Sequence, residues 1–421
     1  MNDIYNRDYF KMPLRNLFLD FNSYFASVEQ QVNPKLRNEP TAVVPMMADS
    51  TCCIAASYEA KKFGVRTGTL VSDAKKICPG LKLVEAHHRL YIEYHHKLVE
   101  AIESCVHVDQ EMSIDEVCCT LMGKQRIREN AVELALQIKK TISEKVGEYL
   151  KCSIGLAPNR FLAKTATDMQ KPDGLVVVED KDLPHCLYNL KLRDLTGIGR
   201  RMEVRLKRHG IYTVEELCTL PKSRLKEAWG GVEGERMYAQ LRGEDVKRPP
   251  THRQTIGHSH VLPPKERNKD DAFAVMNRLL QKAAMRMRYL GYVTGAMSMG
   301  VRFLGGTKWR EEISFSQTQN TITLMKALEK VWERYPAGKE KPLAVGVTLF
   351  KLLDEDQSTP IFFEDYDKIK SLNKAVDKLN KKYGFTSAYY ATSHFARHSA
   401  PMRIAFTQIP DLEIEDDEKD F

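Results

Sequence analysis

Ser113-Ile114-Asp115-Glu116 places two adjacent carboxylates among apolar residues, and Leu17-Phe18-Leu19-Asp20-Phe21 ends an apolar run in a third. The second run is typical of a buried strand. The first lies within residues 112–121, which we interpret as one further strand with both acids in its middle. Acidic side chains are rarely buried unless they are paired or bind a metal. The pattern therefore predicts that a divalent cation lies between the three carboxylates.

Three carboxylates form an all-oxygen ligand set, which suits Mg²⁺ and also accepts Mn²⁺. Two Mg²⁺ held in such a site would support an in-line phosphoryl transfer. The alternative for Asp115 and Glu116 is an exposed strand edge on which both acids are solvated. That alternative leaves the acid at the end of the other apolar run without an explanation.

The formal net charge of +8 is unevenly distributed along the 421 residues. Residues 411–421 hold seven acids and one lysine, so the remainder of the chain carries +14. A body with this charge favours a polyanionic partner such as nucleic acid, although a well-solvated charged surface would give the same balance. The length predicts three or four domains. We expect the acidic tail, residues 406–421, to be disordered.

The nine cysteines include the adjacent pairs Cys52-Cys53 and Cys118-Cys119 but no CxxC or zinc-finger spacing. An odd number of cysteines and no recognisable signal peptide predict a reduced, cytoplasmic protein, and we interpret the pairs as small buried hydrophobes. No apolar run approaches the roughly 20 residues of a membrane span, so no membrane association is expected.

Helical and strand-like spacing of apolar residues alternates through the first half of the chain. Helices are predicted over residues 23–31, 58–63, 90–106, 129–149 and 159–169, and strands over residues 15–21, 41–45, 51–56 and 152–156. Strands flanked by helices predict an α+β catalytic domain. His87, His88, His95 and His96 are interpreted as solvated side chains of this region rather than as a metal site.

A glycine-bearing turn, Leu195 to Arg201, lies between two helical stretches. Gly197 and Gly199 permit a tight turn that presents backbone N–H groups to a phosphate, which is the pattern of a helix-hairpin-helix. An ordinary glycine-capped connection is the alternative. Residues 230–234 resemble a weaker second copy, for which the two interpretations are equally favoured.

The basic, proline-bearing segment 245–252 predicts an interdomain linker. Beyond it, the predicted elements follow the order β-α-β-β-α-β: strand 255–262, helix 270–289, strands 296–303 and 311–316, helix 321–335 and strand 343–351. Arg302 alternates with apolar residues in its strand, which suggests a sheet that lines a groove, with a solvated face as the alternative.

Four segments resemble, in order, the motifs of one family. Asp20 to Glu29 resembles the first motif of the Y-family translesion DNA polymerases, Ser57 to Arg66 their finger motif, Ser113 to Glu116 their second catalytic motif, and Ala163 to Gly174 the segment that follows. The turn at Gly197 resembles their thumb. The resemblance extends from about residue 17 to about residue 351, and the most similar subgroup is the bacterial DinB/UmuC type.

The resemblance implies a multidomain α+β fold shaped like a right hand. Palm would be residues 1–23 and 89–178, fingers 24–88, helix-hairpin-helix thumb 179–245, linker 246–254, and β-α-β-β-α-β little finger with a C-terminal extension 255–405. It also implies a low-fidelity, template-directed DNA polymerase without a proofreading exonuclease, acting as a monomer on primer-template DNA and dNTPs.

The resemblance further implies individual roles. Asp20, Asp115 and Glu116 match the catalytic metal ligands, and the carbonyl of Phe21 would complete a set that holds two Mg²⁺. Phe25 matches the steric gate that excludes a ribose 2′-OH, with Tyr24 beside it. The remaining nucleotide contacts would be Tyr58, Lys61 and Lys171, and the DNA contacts would be Gly197, Gly199, Arg200 and Arg302.

The chain departs from the family pattern at Lys61, where arginine is common, and at Ala55, where threonine is common. Lysine keeps the charge but loses the bidentate fork, and alanine removes a hydroxyl donor. Lys164 is a weaker candidate for a triphosphate contact, with a side chain that only faces solvent as the alternative. Gln408 to Leu412 resembles weakly the short peptides that bind the sliding clamp, and a plain linker is the favoured alternative.

Two other classes of protein remain to be weighed. A non-catalytic Y-family accessory protein would tend to have lost the acids, which this chain retains. A palm-fold nucleotide cyclase would also use two metals, but it would need neither the hairpin of the thumb nor the basic C-terminal unit.

Overall fold

The computed structural model describes residues 14–247, 252–336, 338, 340–358, 366–384, 387–404 and 409–412. They form two compact units. One contains the described residues before 249 together with 404 and 409, and the other contains residues 252–403 and 410–412 of the described set. Part of the predicted linker and most of the acidic tail lie outside the described residues. Among the helices of the described ranges, none has the length and apolar character that crossing a membrane requires.

The first unit is built around a five-stranded sheet in the order β5-β6-β1-β7-β8. The strands are β1 (Asn16–Phe21), β5 (Gln110–Ser113), β6 (Glu116–Thr120), β7 (Cys152–Ala157) and β8 (Leu175–Val177). The central strand β1 pairs antiparallel with β6 and β7, and five of its six residues are buried. Its apolar run therefore forms the middle of the sheet, and its acid lies at the end.

Three helices cover this sheet: α4 (His88–Glu103), α5 (Arg128–Lys145) and α6 (Arg160–Met169). Helix α6 packs on β1 and β7. Helix α6 approaches strand β7 closely because Gly155 of that strand has no side chain. A Cβ at that position would lie 2.0 Å from the Ala163 carbonyl oxygen.

The prediction of one strand over residues 112–121 is wrong. Strands β5 and β6 form a hairpin whose two-residue turn is Ile114-Asp115. Neighbouring side chains on a strand point to opposite faces, so a continuous strand could not bring both acids to one place. The hairpin turn can bring both acids to one place, and the buried Ile114 anchors the turn.

A smaller three-stranded sheet, in the order β3-β2-β4, follows β1 in the chain. Its strands are β2 (Thr41–Val44), β3 (Ala55–Ala56) and β4 (Lys82–Glu85), and its helices are α1 (Tyr24–Val32), α2 (Tyr58–Lys62) and α3 (Val71–Ile77). The strand predicted over residues 51–56 is reduced to two residues, because Cys52 forms only an isolated bridge with Leu70. The cysteines of the described residues are all free. Cys53, Cys118 and Cys119 are buried as expected, whereas Cys52 is only partly buried.

Four short helices complete the unit: α7 (Arg200–Arg208), α8 (Val214–Thr219), α9 (Lys222–Trp229) and α10 (Val232–Gln240). They share one hydrophobic core with α6. In the second glycine cluster, Gly230 ends α9 with a φ of 75°, and Gly234 lets α10 approach the backbone of Leu225. Helix packing thus accounts for this cluster.

The second unit has the predicted β-α-β-β-α-β order, arranged as a sheet β11-β10-β12-β9. Its elements are β9 (Thr255–Val261), α11 (Lys269–Tyr289), β10 (Tyr292–Phe303), β11 (Lys308–Thr318), α12 (Thr321–Trp332) and β12 (Pro342–Asp354). Both helices share a core with alternate residues of β10, namely Met297, Met299, Val301 and Phe303. A further helix of this unit, α13 (Tyr366–Tyr383), follows β12 in the chain.

Candidate active site

The structure brings the three predicted acids to one end of the five-stranded sheet. Asp20 ends the apolar run of β1 and lies directly opposite Glu116 of β6 in the strand register. Asp115 occupies the hairpin turn before Glu116, and its carbonyl accepts a 2.8 Å hydrogen bond from the N–H of Phe21. Strand pairing and the turn thus bring acids almost 100 residues apart in sequence together.

The electrostatics of Asp115 reflect this convergence. The pKa of the Asp115 carboxyl is raised to about 6, chiefly by burial and in addition by the neighbouring Asp20 and Glu116 carboxylates, while the Ser113 hydroxyl and Lys164 act in the opposite direction. That hydroxyl donates a 2.7 Å hydrogen bond to Oδ1 of Asp115. The three carboxylates are therefore close enough to interact electrostatically, as ligands of a common cation would be.

Two lysines that follow β7 form ion pairs with two of these acids. Lys164, on α6, contacts Asp20 Oδ2 and lies 2.8 Å from Glu116 Oε1, and Lys171 lies 2.7 Å from Asp20 Oδ1. Burial alone would lower the pKa of the Lys164 ammonium, but the surrounding carboxylates outweigh it and raise that pKa. The alternative of a solvent-facing Lys164 is wrong, because its side chain is only 16% exposed.

Asp168 supports both lysines from one turn further along α6. Its carboxylate lies 2.8 Å from Lys171 and 3.8 Å from Lys164. Helix α6 is fixed at its start by Asn159, whose side chain accepts a 2.8 Å hydrogen bond from the N–H of Leu162. The helix therefore presents Lys164 to the acids from a defined position.

The donor set of the site fits a hard divalent cation. Asp20, Asp115 and Glu116 supply oxygen ligands with a formal charge of −3, which is the chemistry that Mg²⁺ prefers. In the described part of the chain, no three His, Cys, Asp or Glu side chains are drawn together into a ready metal cluster. The ammonium groups of Lys164 and Lys171 contact the Asp20 carboxylate, and Lys164 also contacts that of Glu116.

Phe25, the residue that matches the steric gate, is held by an aromatic stack. Its ring lies 4.4 Å from that of Tyr91, centroid to centroid, with an interplanar angle of 14°. The Tyr91 hydroxyl donates to Glu29 at 2.7 Å, so the stack is anchored to α1 and α4 at once. Tyr24 is buried and its hydroxyl donates to the Tyr91 carbonyl at 2.6 Å. The Tyr24 side chain therefore packs in the core, and a nucleotide contact by Tyr24 stays a prediction.

The finger residues Tyr58 and Lys61 lie together on α2. The Lys61 ammonium lies 4.4 Å from the centroid of the Tyr58 ring and donates a 2.7 Å hydrogen bond to the Ser23 hydroxyl. Burial lowers the pKa of Lys61, and the nearby Lys171 lowers it further. Ala55 is buried in β3 opposite Val43, where its methyl group offers no hydrogen-bond donor.

His95 is a functional candidate that sequence reasoning misinterpreted. It is fully buried rather than solvated, with Nδ1 at 2.9 Å from the Ile114 carbonyl and Nε2 at 2.8 Å from Glu111 Oε2. The two contacts hold the imidazole ring between the Ile114 carbonyl of the turn and the Glu111 carboxylate of β5. His95 thereby fastens the turn that carries Asp115. Only the long-range pairing of residues 95 and 114 reveals this, and sequence spacing carries no signal of it.

The predicted DNA contacts lie at two separate places. Gly197, with a φ of 88°, shapes the turn before α7, and Gly199 is the N-cap of that helix, so the N–H groups at Arg200 begin it. Arg302 is exposed on β10, opposite Lys308 of β11 and on the sheet face away from the core.

Three family models match successive parts of the chain. The impB/mucB/samB family matches residues 19–168, the thumb domain of DNA polymerase-iota matches residues 193–245, and the C-terminal domain of the impB/mucB/samB family matches residues 253–360. The first match contains all three acids.

Curated relatives match nearly the full length. DNA polymerase IV of Moorella thermoacetica is 31% identical over 388 residues, covering 90% of this chain and 95% of that protein. DNA polymerase IV of Pelotomaculum thermopropionicum is 29% identical over 385 residues, covering 90% of this chain and 94% of that protein.

Solved structures share the fold. A Y-family DNA polymerase chimera of Dbh and Dpo4 matches with a TM-score of 0.68 at 22% identity, covering 81% of this chain and 100% of that chain. A structure titled as the insertion ternary complex of Dbh DNA polymerase matches with a TM-score of 0.55 over the same shares.

The fold, with acids at the end of a central sheet, a helix-hairpin-helix domain and a C-terminal domain, is that of a template-directed nucleotidyl transferase. The chain belongs to the impB/mucB/samB family, the Y-family DNA polymerases of the bacterial DinB type. It is a DNA-directed DNA polymerase of translesion synthesis, and its chemistry depends in general on a divalent metal. The accessory-protein alternative is not favoured.

Proposed function

We propose that the chain extends primers by two-metal nucleotidyl transfer at Asp20, Asp115 and Glu116. These carboxylates and the carbonyl of Phe21 would hold two Mg²⁺, with Mn²⁺ as a substitute. Metal ions bound there would lower the pKa of a primer 3′-OH and offset charge on the leaving pyrophosphate. The single observation that carries the proposal is the register of Asp20 opposite Glu116 with Asp115 in the adjoining turn.

The incoming dNTP would lie between the acids and the finger helix α2. Lys171, Lys61 and Tyr58 would contact the triphosphate, and Lys164 would hold the Asp20 and Glu116 carboxylates in place. The mutual proximity of these cations supports this assignment, since Lys171 lowers the pKa of Lys61. Phe25 would stack its fixed ring beneath the sugar and exclude a 2′-OH.

Primer-template DNA would be held by two surfaces. The N–H groups at Gly199 and Arg200 suit a phosphate at the start of α7, and Gly197 permits the turn that presents them. Arg302 would contact the DNA backbone from the open face of the second unit. A ternary complex of the related Dbh polymerase supports DNA and dNTPs as partners. The domain boundaries given above are proposed on the same basis.

Low fidelity and the lack of proofreading remain predictions of the family resemblance. Monomeric state, cytoplasmic location and binding to a sliding clamp also remain predictions. Of the clamp-like peptide, residues 409–412 lie within the described residues, and Gln408 does not.

Primer extension on an undamaged template, with Mg²⁺ and all four dNTPs, tests the proposed site. Asp115→Asn should abolish template-directed extension, whereas Asp73→Asn, a matched change in an exposed ion pair on α3, should leave it unchanged. Equal extension by wild type and Asp115→Asn would place the active site elsewhere.

A further inference from the structure

Helix α13 lies beyond the matched C-terminal domain, which ends at residue 360. It borders a cavity of about 230 Å³ in the second unit, shared with α11 and with the end of β12. Four lysines of α13 at helical spacing line this cavity: Lys370, Lys374, Lys378 and Lys381. With Arg288 added, five cations face two carboxylates among the lining residues, so the cavity carries a surplus of positive charge.

The two carboxylates are already engaged. Arg288 binds Asp377 through two hydrogen bonds of 2.7 and 2.8 Å, and Lys370 lies 2.5 Å from Glu355. Within the described ranges, Lys374 and Lys378 form no ion pair. Exposed lysines of like charge on one helix face repel one another, and an anionic partner would relieve that repulsion.

The chain itself delivers an acidic segment to this cavity. The hydroxyl of Tyr289, another lining residue, donates a 3.3 Å hydrogen bond to Asp411 Oδ2. Residues 413–421, which begin two positions later, contain six acids and one lysine. Nine residues can reach at most about 30 Å when extended, which is ample to follow the lysine face of α13 from Tyr289.

We propose that residues 413–421 bind the lysine face of α13 within the same molecule. The tether at Asp411 favours this occupant over a free polyanion, since a short tether gives an effective concentration in the millimolar range. The acidic segment then competes with the phosphates of nucleic acid for the same lysines. The bound segment thereby lowers the affinity of the protein for DNA. This inhibition decreases with rising salt because the contacts are exposed. This inference does not depend on the roles proposed for the active site.

Equilibrium binding to primer-template DNA, measured by fluorescence anisotropy at low and high salt, tests whether residues 413–421 inhibit DNA binding. Deleting residues 413–421 should tighten DNA binding about threefold or more at low salt, with the gain shrinking as salt rises. In the Lys374→Gln/Lys378→Gln protein the same deletion should change affinity by less than about 1.5-fold. The control Lys326→Gln/Lys330→Gln makes the same charge change on the exposed surface of α12 and should retain the full gain.

A second measurement does not involve DNA. A labelled synthetic peptide of residues 411–421 should bind the deleted protein in a saturable, salt-sensitive manner, and the Lys374/Lys378 substitutions should abolish that binding. If the deletion has the same effect in both lysine backgrounds and the peptide does not bind, the proposal is wrong. If the lysine substitutions weaken DNA binding of the deleted protein while the deletion itself has no effect, the face belongs to DNA and the proposal is equally overturned.

Discussion

The Lys164 ammonium lies 2.8 Å from the Glu116 carboxylate and also contacts Asp20, so one cation joins acids from two strands. Without Lys164, less positive charge would offset the repulsion between the Asp20 and Glu116 carboxylates. We therefore assign Lys164 to holding the acids in place, in addition to its packing over the Phe18 ring.

Replacing Lys164 should impair chemistry more than folding. Lys164→Met should lower the single-turnover incorporation rate about 10- to 100-fold, because an oriented charge in the site is lost. Lys164→Arg should retain most of the rate, since it keeps the charge. Lys140→Met, in an exposed ion pair of α5, is the matched control. Wild-type rates in Lys164→Met would rule out this role.

Phe25 should control sugar selection. Phe25→Val removes the ring, so the ratio of kcat/KM for dCTP over CTP should fall about 10- to 200-fold. Tyr91→Leu leaves Phe25 present but removes the ring stacked at 4.4 Å, so it should lower the ratio by a smaller factor. Phe63→Ala, at an exposed position, should leave the ratio unchanged. An unaltered ratio in Phe25→Val would assign the gate to another residue.

His95 should act on catalysis through the turn at Ile114. His95→Leu removes both hydrogen bonds, and the resulting displacement of Asp115 should lower kcat about 10- to 100-fold with little change in KM for dNTP. His95→Gln keeps one donor and should recover part of the rate. The control is His96→Gln, a substitution at the exposed neighbouring residue. If His95→Leu changes thermal stability but not kcat, the residue is merely structural.

The second unit should lose stability in mild acid. Burial lowers the pKa of His258 and of His260 to about 3, helped by nearby cations including Lys282. The unfolded chain binds protons at these residues below about pH 6.5 and the folded chain does not, so the free energy of unfolding falls as pH drops from about 6.5 toward 3.

The expected slope is up to about 1.4 kcal/mol per pH unit for each histidine. His260→Gln should reduce the slope measured by urea unfolding between pH 6.5 and 4.5, and the exposed His252→Gln should not. An identical slope in wild type and His260→Gln would show that this histidine does not titrate on unfolding.

Much of the fold could be predicted because the chain signals it locally. The apolar run before Asp20 and the β-α-β-β-α-β pattern depend on spacing within single elements, and both are present in the structure. The hairpin turn at Asp115 was missed because a two-residue turn without glycine or proline carries little local signal. The half-buried position of Lys164 and the buried position of His95 depend on partners from other elements, Asp20 and Glu111, which local patterns do not reveal.

The most direct test of the two-metal site is the rate of single-nucleotide incorporation, measured under single-turnover conditions over a wide range of Mg²⁺ concentration. For wild type we expect the rate to rise more steeply than first order at low Mg²⁺, as two bound ions require. Asp20→Asn and Asp115→Asn should be at least about 1,000-fold slower at every concentration. A first-order dependence on Mg²⁺, together with near wild-type rates in either variant, would contradict the account.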